Sequence, residues 1–170
     1  MEYTHHYTSR LGGILLASDG LVLTGLWFDG QKNYAGSLDA EHKEELLPVF
    51  ITAERWLDVY FSGRCPDFMP PLKMKGTEFQ KAVWGILLTI PYGATMTYGE
   101  IASKMAPRNG LSKMSAQAIG GAVGHNPISL IIPCHRVIGA DGSLRGYAGG
   151  VEKKLWLLEL EKAASASLLY

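Results

Sequence analysis

The chain has 170 residues, 47% of them hydrophobic, and carries 16 Lys or Arg against 16 Asp or Glu, a net charge of zero. That length and apolar content suit one ordinary domain or two small ones sharing an interface. No stretch approaches the ~18 consecutive apolar residues of a membrane span, and residues 1–6 lack the basic and apolar regions of a signal peptide, so a soluble, cytoplasmic protein with no membrane partner is expected.

In chain order, two β-leaning segments, 13–17 and 21–28, flank Ser18-Asp19-Gly20, a turn signal that predicts a hairpin. A helix is expected over 41–61, where Leu46, Phe50, Ala53, Leu57, Tyr60 and Phe61 recur at helical spacing and would cover one side of a sheet as core residues. The proline- and glycine-containing stretch 62–75 breaks this periodicity and reads as a linker. The chain then divides into an N-terminal domain with its linker, 1–75, and a C-terminal domain, 76–170.

The second domain opens with Thr77-Glu78-Phe79-Gln80, a capping box, and a helix through Phe79, Val83, Trp84, Ile86 and Leu87 that Pro91-Tyr92-Gly93 stops. Thr97 with Glu100 starts a short helix toward Met105, 107–112 reads as a loop, and a further helix is expected over 115–124. Two short helices joined by a turn suggest a helix-turn-helix. Charge points the same way: residues 1–75 carry seven Lys or Arg against ten Asp or Glu, and residues 101–154 carry seven against two. A basic patch of that kind can meet phosphates although the whole chain is neutral. The later helix is nearly bare on one side, with Ala116, Ala118, Gly120, Gly121, Ala122 and Gly124, although each interior glycine costs about 1 kcal/mol relative to alanine. Either another helix packs on that smooth face or the helix presses closely on nucleic acid.

Ile132-Pro133-Cys134-His135-Arg136-Val137 carries the chemistry. The apolar run 128–132 reads as a strand, after which a rigid proline places a thiol beside an imidazole and a guanidinium. Cationic neighbours lower a thiol's pKa from about 8.5 toward neutrality, and the thiolate is the nucleophile. The plain alternative is a buried free cysteine acting as a small hydrophobe. Successive side chains of a strand point to opposite faces, so Cys134 and His135 can cooperate only if the chain turns there or a water bridges them. Cys65, beside Arg64 in the linker, has no motif around it and reads as a bystander. Two cysteines are too few for a disulfide scaffold, and His5, His6, His42, Cys65 and His125 are scattered, so no metal is expected.

Around the cysteine stand Gly120-Gly121-Ala122, Asn126-Pro127, Gly146-Tyr147-Ala148-Gly149-Gly150, Trp156-Leu157-Leu158 and Glu161. Over about the last half of the chain this set resembles the O(6)-alkylguanine-DNA alkyltransferases, or methylated-DNA-protein-cysteine methyltransferases. The N-terminal part is similar to them only in length and pattern. The resemblance implies an α+β protein: a small N-terminal α/β domain, ribonuclease H-like, then a C-terminal helical domain with a winged-helix-like helix-turn-helix. It implies a DNA-repair reaction in which the Cys134 thiolate takes the alkyl group from O(6) of guanine irreversibly, without a cofactor, on double-stranded DNA containing alkylated guanine. A monomer is expected.

The same resemblance implies roles for individual residues. His135 would activate the thiol through a water, Glu161 would hold the imidazole, and Asn126 would be the hinge between recognition helix and cysteine segment. The Tyr98 hydroxyl and the Ala148 amide would support the departing guanine, and the carbonyls of Cys134 and Val137 would read its exocyclic amine. Val123, Tyr147 and Gly149 complete the substrate-binding set. The recognition helix would enter the minor groove, only about 6 Å wide, through Ala116, Gln117, Ala118 and Gly121, with Arg136 and Lys113 also toward DNA. The target nucleotide would be flipped out, because chemistry on a stacked base is blocked.

One departure stands out. The family commonly has an arginine nine residues before the motif asparagine, filling the space that the flipped base vacates; here the residue is Gln117, uncharged and shorter. Arg108 and Lys113 on the preceding loop are candidate substitutes. Three other classes stay open: a non-enzymatic relative that flags alkylated DNA for other repair factors, a cysteine hydrolase, and a helix-turn-helix regulator. The first lacks the acceptor cysteine that this chain retains, the second would turn over, and the third needs no reactive thiol.

Overall fold

The computed structural model describes residues 1–109, 114–144 and 146–167, and its class is the expected α+β. β1 (Glu2–Ser9), β2 (Gly12–Ser18) and β3 (Leu23–Phe28) form an antiparallel meander, and β4 (His42–Glu44) adds in parallel beside β1, giving the order β3-β2-β1-β4. The expected hairpin is β2–β3, its turn closed by Asp19 Oδ1, which accepts from the amides of Leu21 and Val22. β1 has no aliphatic residue, so hydrophobic alternation does not announce it.

α1 (Pro48–Phe61) is shorter than the helix expected over 41–61. Residues 42–44 are drawn into the sheet as β4, and Pro48 opens the helix in its first turn, where a missing N–H costs nothing. Leu46 is therefore outside the helix and exposed, whereas Phe50, Ala53, Trp56, Leu57, Tyr60 and Phe61 are buried, on a helix that contacts β1, β2 and β3.

The 62–75 segment is more than a linker. Leu23 N donates to the Pro71 carbonyl at 2.8 Å and Lys73 N to the Leu23 carbonyl at 2.9 Å, so the segment pairs along β3. Farther along β3, Leu26 N donates to Pro127 O at 2.8 Å and Ser129 N to Leu26 O at 2.9 Å. A strand edge that would otherwise expose unpaired amides is covered, and the approach to Cys134 is bonded directly to the N-terminal sheet. One apolar cluster accordingly spans both halves, from Leu16, Phe28 and Phe50 to Trp84, Ile119 and Ile128.

α2 (Glu78–Leu87) begins at the expected capping box, Thr77 Oγ1 accepting from Gln80 N and Gln80 Oε1 from Thr77 N. α3 (Tyr98–Met105), capped by Thr97, contacts α4 (Ala116–Gly124), capped by Ser115, as the expected helix pair. Between them Pro107–Asn109 form a 3₁₀ turn. β5 (Met96–Thr97) pairs in parallel with β6 (Val137–Ile138), which sets the start of α3 beside the residues that follow Cys134. α5 (Val151–Ser167) packs on the cysteine turn. Among the described residues no helix is long and apolar enough to cross a membrane.

Two neighbours on α1 test this packing. Phe50 is 0% exposed and Ile51 is 49% exposed. Phe50→Ala should cost about 3–5 kcal/mol, and Ile51→Ala less than about 0.5 kcal/mol, both read from denaturant unfolding.

Candidate active site

The run 128–132, expected as a strand, is instead a sequence of tight turns, because the Asn126 side chain closes it on itself. Asn126 Oδ1 accepts from Ile128 N at 3.0 Å and Nδ2 donates to the Ile132 carbonyl at 2.7 Å. Between them Leu130 adopts φ 70°, a left-handed conformation that costs an L-residue about 1–2 kcal/mol and persists because its surroundings hold it. Cys134–Arg136 then form one 3₁₀ turn. The chain turns at the cysteine, so the alternation that would separate adjacent side chains in a strand does not apply.

Cys134 is buried, and burial pushes its thiol pKa up. Hydrogen bonding from the Asn126 side chain, the charge of Lys154 and the amides of Cys134 and His135 oppose that rise. The expectation that the adjacent cations would bring the thiol toward neutrality is therefore corrected. Arg136 Nε donates to Glu161 Oε1 at 2.7 Å and Nη1 donates to the Ile90 carbonyl at 2.8 Å, so its charge is engaged away from the sulfur. For the same reason Arg136 is not a DNA contact: it is 8% exposed. The cation that acts on the thiol is Lys154, fully buried, with Nζ 6.0 Å from the centre of the Tyr98 ring and no hydrogen-bond partner among the described residues.

Glu161 joins the site to the rest of the molecule. Its Oε2 accepts from His135 Nε2 at 2.5 Å and from the Tyr60 hydroxyl at 2.6 Å, and its Oε1 accepts from Arg136 Nε at 2.7 Å and from Gly93 N at 3.1 Å. Gly93, at φ 82°, takes a backbone conformation open to glycine as it turns its amide toward the carboxylate. Burial opposes ionisation of Glu161, but His135 and Arg136 outweigh it and bring its pKa down to about 2. An ionised carboxylate only accepts, which places the His135 proton on Nε2 and leaves Nδ1 as the basic nitrogen. Nδ1 is buried with no partner among the described residues, and burial lowers the imidazole pKa, keeping the ring neutral.

Tyr98, Tyr147 and Ala148 line a cleft of about 1250 Å³, together with Ala116, Gln117 and the glycines of α4. A Cβ added at Gly120, Gly121 or Gly124 would meet nothing within 4 Å, so among the described residues no helix packs on that face. The bare side of α4 is a wall of the cleft. Ala118 is exposed on the same helix and Gly149 half-buried in the loop before α5. The N-terminal domain borders the cleft too: Lys32 N donates to the Ala148 carbonyl at 3.0 Å and Asn33 Nδ2 to the Gly124 carbonyl at 3.0 Å.

One further expectation needs correction. Val123 is on the buried side of α4 and is not among the residues lining the cleft, while Val137, expected to act through its carbonyl, has its side chain buried in β6. Lys113 lies outside the described residues. The charge segregation also changes meaning, since Arg136 and Lys154 are internal and only Lys104 and Arg108 are exposed cations among the described residues of that stretch before α4.

Lys154 and Tyr60 were not singled out by sequence reasoning as functional. Lys154 had a signal: with Leu157 and Glu161 it forms a buried i, i+3, i+7 stripe on α5, and two charges on such a stripe are unusual. Tyr60 had none, because it recurs with the apolar residues of α1. Among the described residues no group of three or more His, Cys, Asp or Glu could hold a metal ion.

The ribonuclease-like domain of 6-O-methylguanine DNA methyltransferase matches residues 3–74, and the DNA binding domain of the same family matches residues 78–163. The methylated-DNA-protein-cysteine methyltransferase of Haemophilus influenzae is 43% identical over 94% of this chain and 86% of its own length, and that of Mycobacterium leprae is 47% identical over 95% and 93%. Among solved structures, Mycobacterium tuberculosis OGT in complex with DNA aligns with a TM-score of 0.83 at 42% identity, covering 95% of this chain and 94% of that one. The O6-methylguanine DNA methyltransferase of Methanococcus jannaschii aligns at 0.64 and 30% identity, covering 93% of each. With both halves matched in order around an intact cysteine turn, the chain belongs to the 6-O-methylguanine DNA methyltransferase family.

Proposed function

We propose that this chain repairs DNA by moving the alkyl group of O(6)-alkylguanine onto Cys134, once per molecule. The observation that carries the reading is one buried turn that joins a thiol to a neutral imidazole with an open Nδ1, oriented by an ionised carboxylate, behind a cleft walled by α4. That is the nucleophile, base and orienter arrangement.

In the reaction the Cys134 proton passes to His135 Nδ1, directly or through a water. The sulfur electron pair forms the bond to the alkyl carbon as the carbon–O(6) bond breaks. The electrons of that bond stay with guanine, where the Tyr98 hydroxyl and the Ala148 amide stabilise the developing charge. Lys154 supports the thiolate through its charge, countering the burial that holds the thiol protonated at rest. The product is a thioether, a poor leaving group, and among the described residues no second thiol lines the cleft to displace it, so the protein acts once.

Double-stranded DNA enters as the partner through the bare face of α4, whose small side chains suit a narrow minor groove. That the similar mycobacterial protein was solved in complex with DNA supports DNA as the partner. Gln117 lines the cleft and fills the role at the vacated base position by hydrogen bonding. One chain supplies every group of the network, which favours a monomer, and a thiol acceptor calls for the reducing cytoplasm.

Three measurements test the reading. Mixed with a duplex containing O(6)-methylguanine, the protein should gain at most one methyl per molecule by intact mass, mapped to Cys134 and absent in Cys134→Ala; binding without methyl gain would sink it. Gly121→Leu fills open space, so it should leave the fold and the reaction with free O(6)-methylguanine base intact while weakening duplex binding at least about tenfold, as a side chain in a ~6 Å groove requires. Lys154 has its pKa lowered from 10.5 to about 8 by burial, so the unfolded chain holds that proton more tightly and the Lys154 contribution to stability rises as pH increases from about 8 to 10.5, against the opposite contribution of the buried Cys134 thiol. Lys154→Met should abolish that rise and increase unfolding stability at pH 7 by up to about 3 kcal/mol, yet slow methyl transfer by about tenfold or more.

A further inference from the structure

We propose that Tyr60, on the helix that covers the N-terminal sheet, is a positioning residue for alkyl transfer, setting how strongly Glu161 holds His135. The inference rests on the reading of His135 as the base.

Tyr60 is separated from Glu161 by 101 residues in sequence, yet its hydroxyl donates to Glu161 Oε2 at 2.6 Å and lies 3.4 Å from His135 Nε2. Tyr60 O–H and His135 Nε2–H are both donors, so they share one carboxylate oxygen and divide its electron density between them. The ring is wedged: stacked on Trp56 at 5.3 Å and edge-on to Tyr92 at 6.2 Å and to His135 at 6.3 Å. Tyr60 is 0% exposed, so the hydroxyl is shielded from bulk water. Burial, then the Glu161 charge, pushes the phenol well above its ordinary pKa, which keeps it a donor throughout the working pH range. A phenylalanine would fill the same space, so packing alone does not account for the hydroxyl.

The charged and titratable groups that face His135 come from each element around it. Glu161 and Lys154 belong to α5, Cys134 and Arg136 to its own turn, Tyr147 to the loop before α5, and Tyr60 to α1. Tyr92 faces Tyr60. Among these Tyr60 alone comes from the N-terminal domain, and it alone draws on the oxygen that binds the imidazole. By doing so it weakens the stabilisation of an imidazolium and helps keep Nδ1 unprotonated near neutral pH. Removing the hydroxyl returns that density to His135, and the imidazole then takes up a proton at higher pH.

The test is the pH dependence of single-turnover methyl transfer in Tyr60→Phe, beside Trp56→Phe as a packing control that keeps every hydroxyl. Tyr60→Phe should move the acid limb upward by about half a unit to one unit, the size expected for one hydrogen bond to a buried ion pair, and change the alkaline plateau by less than about twofold. Trp56→Phe should lower the unfolding midpoint and leave the limb in place. An unmoved limb in Tyr60→Phe, or an equal shift in both variants, would overturn the proposal. NMR titration of the His135 imidazole in the DNA-free protein should show the same upward shift, and its absence would count equally against it. Should Tyr60→Phe not fold, 3-fluorotyrosine at position 60 keeps the shape with a more acidic hydroxyl and should move the limb downward; no movement would overturn the proposal. A wild type that takes no methyl on Cys134 would instead sink the functional reading, whatever the titration shows.

Discussion

A carboxylate held away from water must be given donors, and the buried Glu161 collects four of them from widely separated parts of the chain. Tyr60 comes from α1, Gly93 from the turn after α2, and His135 and Arg136 from the cysteine turn. Leaving a buried acceptor unsatisfied costs about 1–3 kcal/mol, more when it is charged. These segments are therefore constrained to arrive at one point, and the reactive turn is fixed by the same requirement. Arg136 offsets the charge, which frees the imidazole to stay neutral while the carboxylate holds its Nε2 proton.

The N-terminal domain takes part in this arrangement rather than standing beside it. Its edge strand β3 bonds to residues 127 and 129, a few positions before the thiol, and its loop reaches the Ala148 and Gly124 carbonyls. Strand pairing on one side and the Asn126 side chain on the other hold the segment in turns, although its composition favours a strand. Backbone held at φ 70° in Leu130 marks where that competition is resolved.

Electrostatics at the thiol run against the simplest reading of its neighbours. Two cations adjoin Cys134 in sequence or space, yet the one next but one in sequence, Arg136, serves the carboxylate, and Lys154, twenty positions away, serves the sulfur. Burial raises the thiol pKa while lowering that of the lysine, because low-dielectric surroundings disfavour both charged forms. The pair can ionise together at less cost than either alone.

Local pattern determined a good deal here. The hairpin at residues 18–20, the capping box at Thr77, the helix pair 98–105 and 116–124 and the cysteine motif were legible because each rests on neighbours in sequence: turn residues, caps, periodicity and spacing. Glu161 could be placed only through its family position, since a glutamate on a helix looks like a surface charge. What the tertiary structure decided was which polar groups go inside. Whether Arg136 or Lys154 meets the thiol, whether Tyr60 is packing or partner, whether 128–132 extends or turns, and whether the glycine face of α4 is covered or open all depend on contacts between residues far apart in the chain. Periodicity and spacing report a residue's own helix or strand, and the charge and hydrogen-bonding of this site are set across several of them.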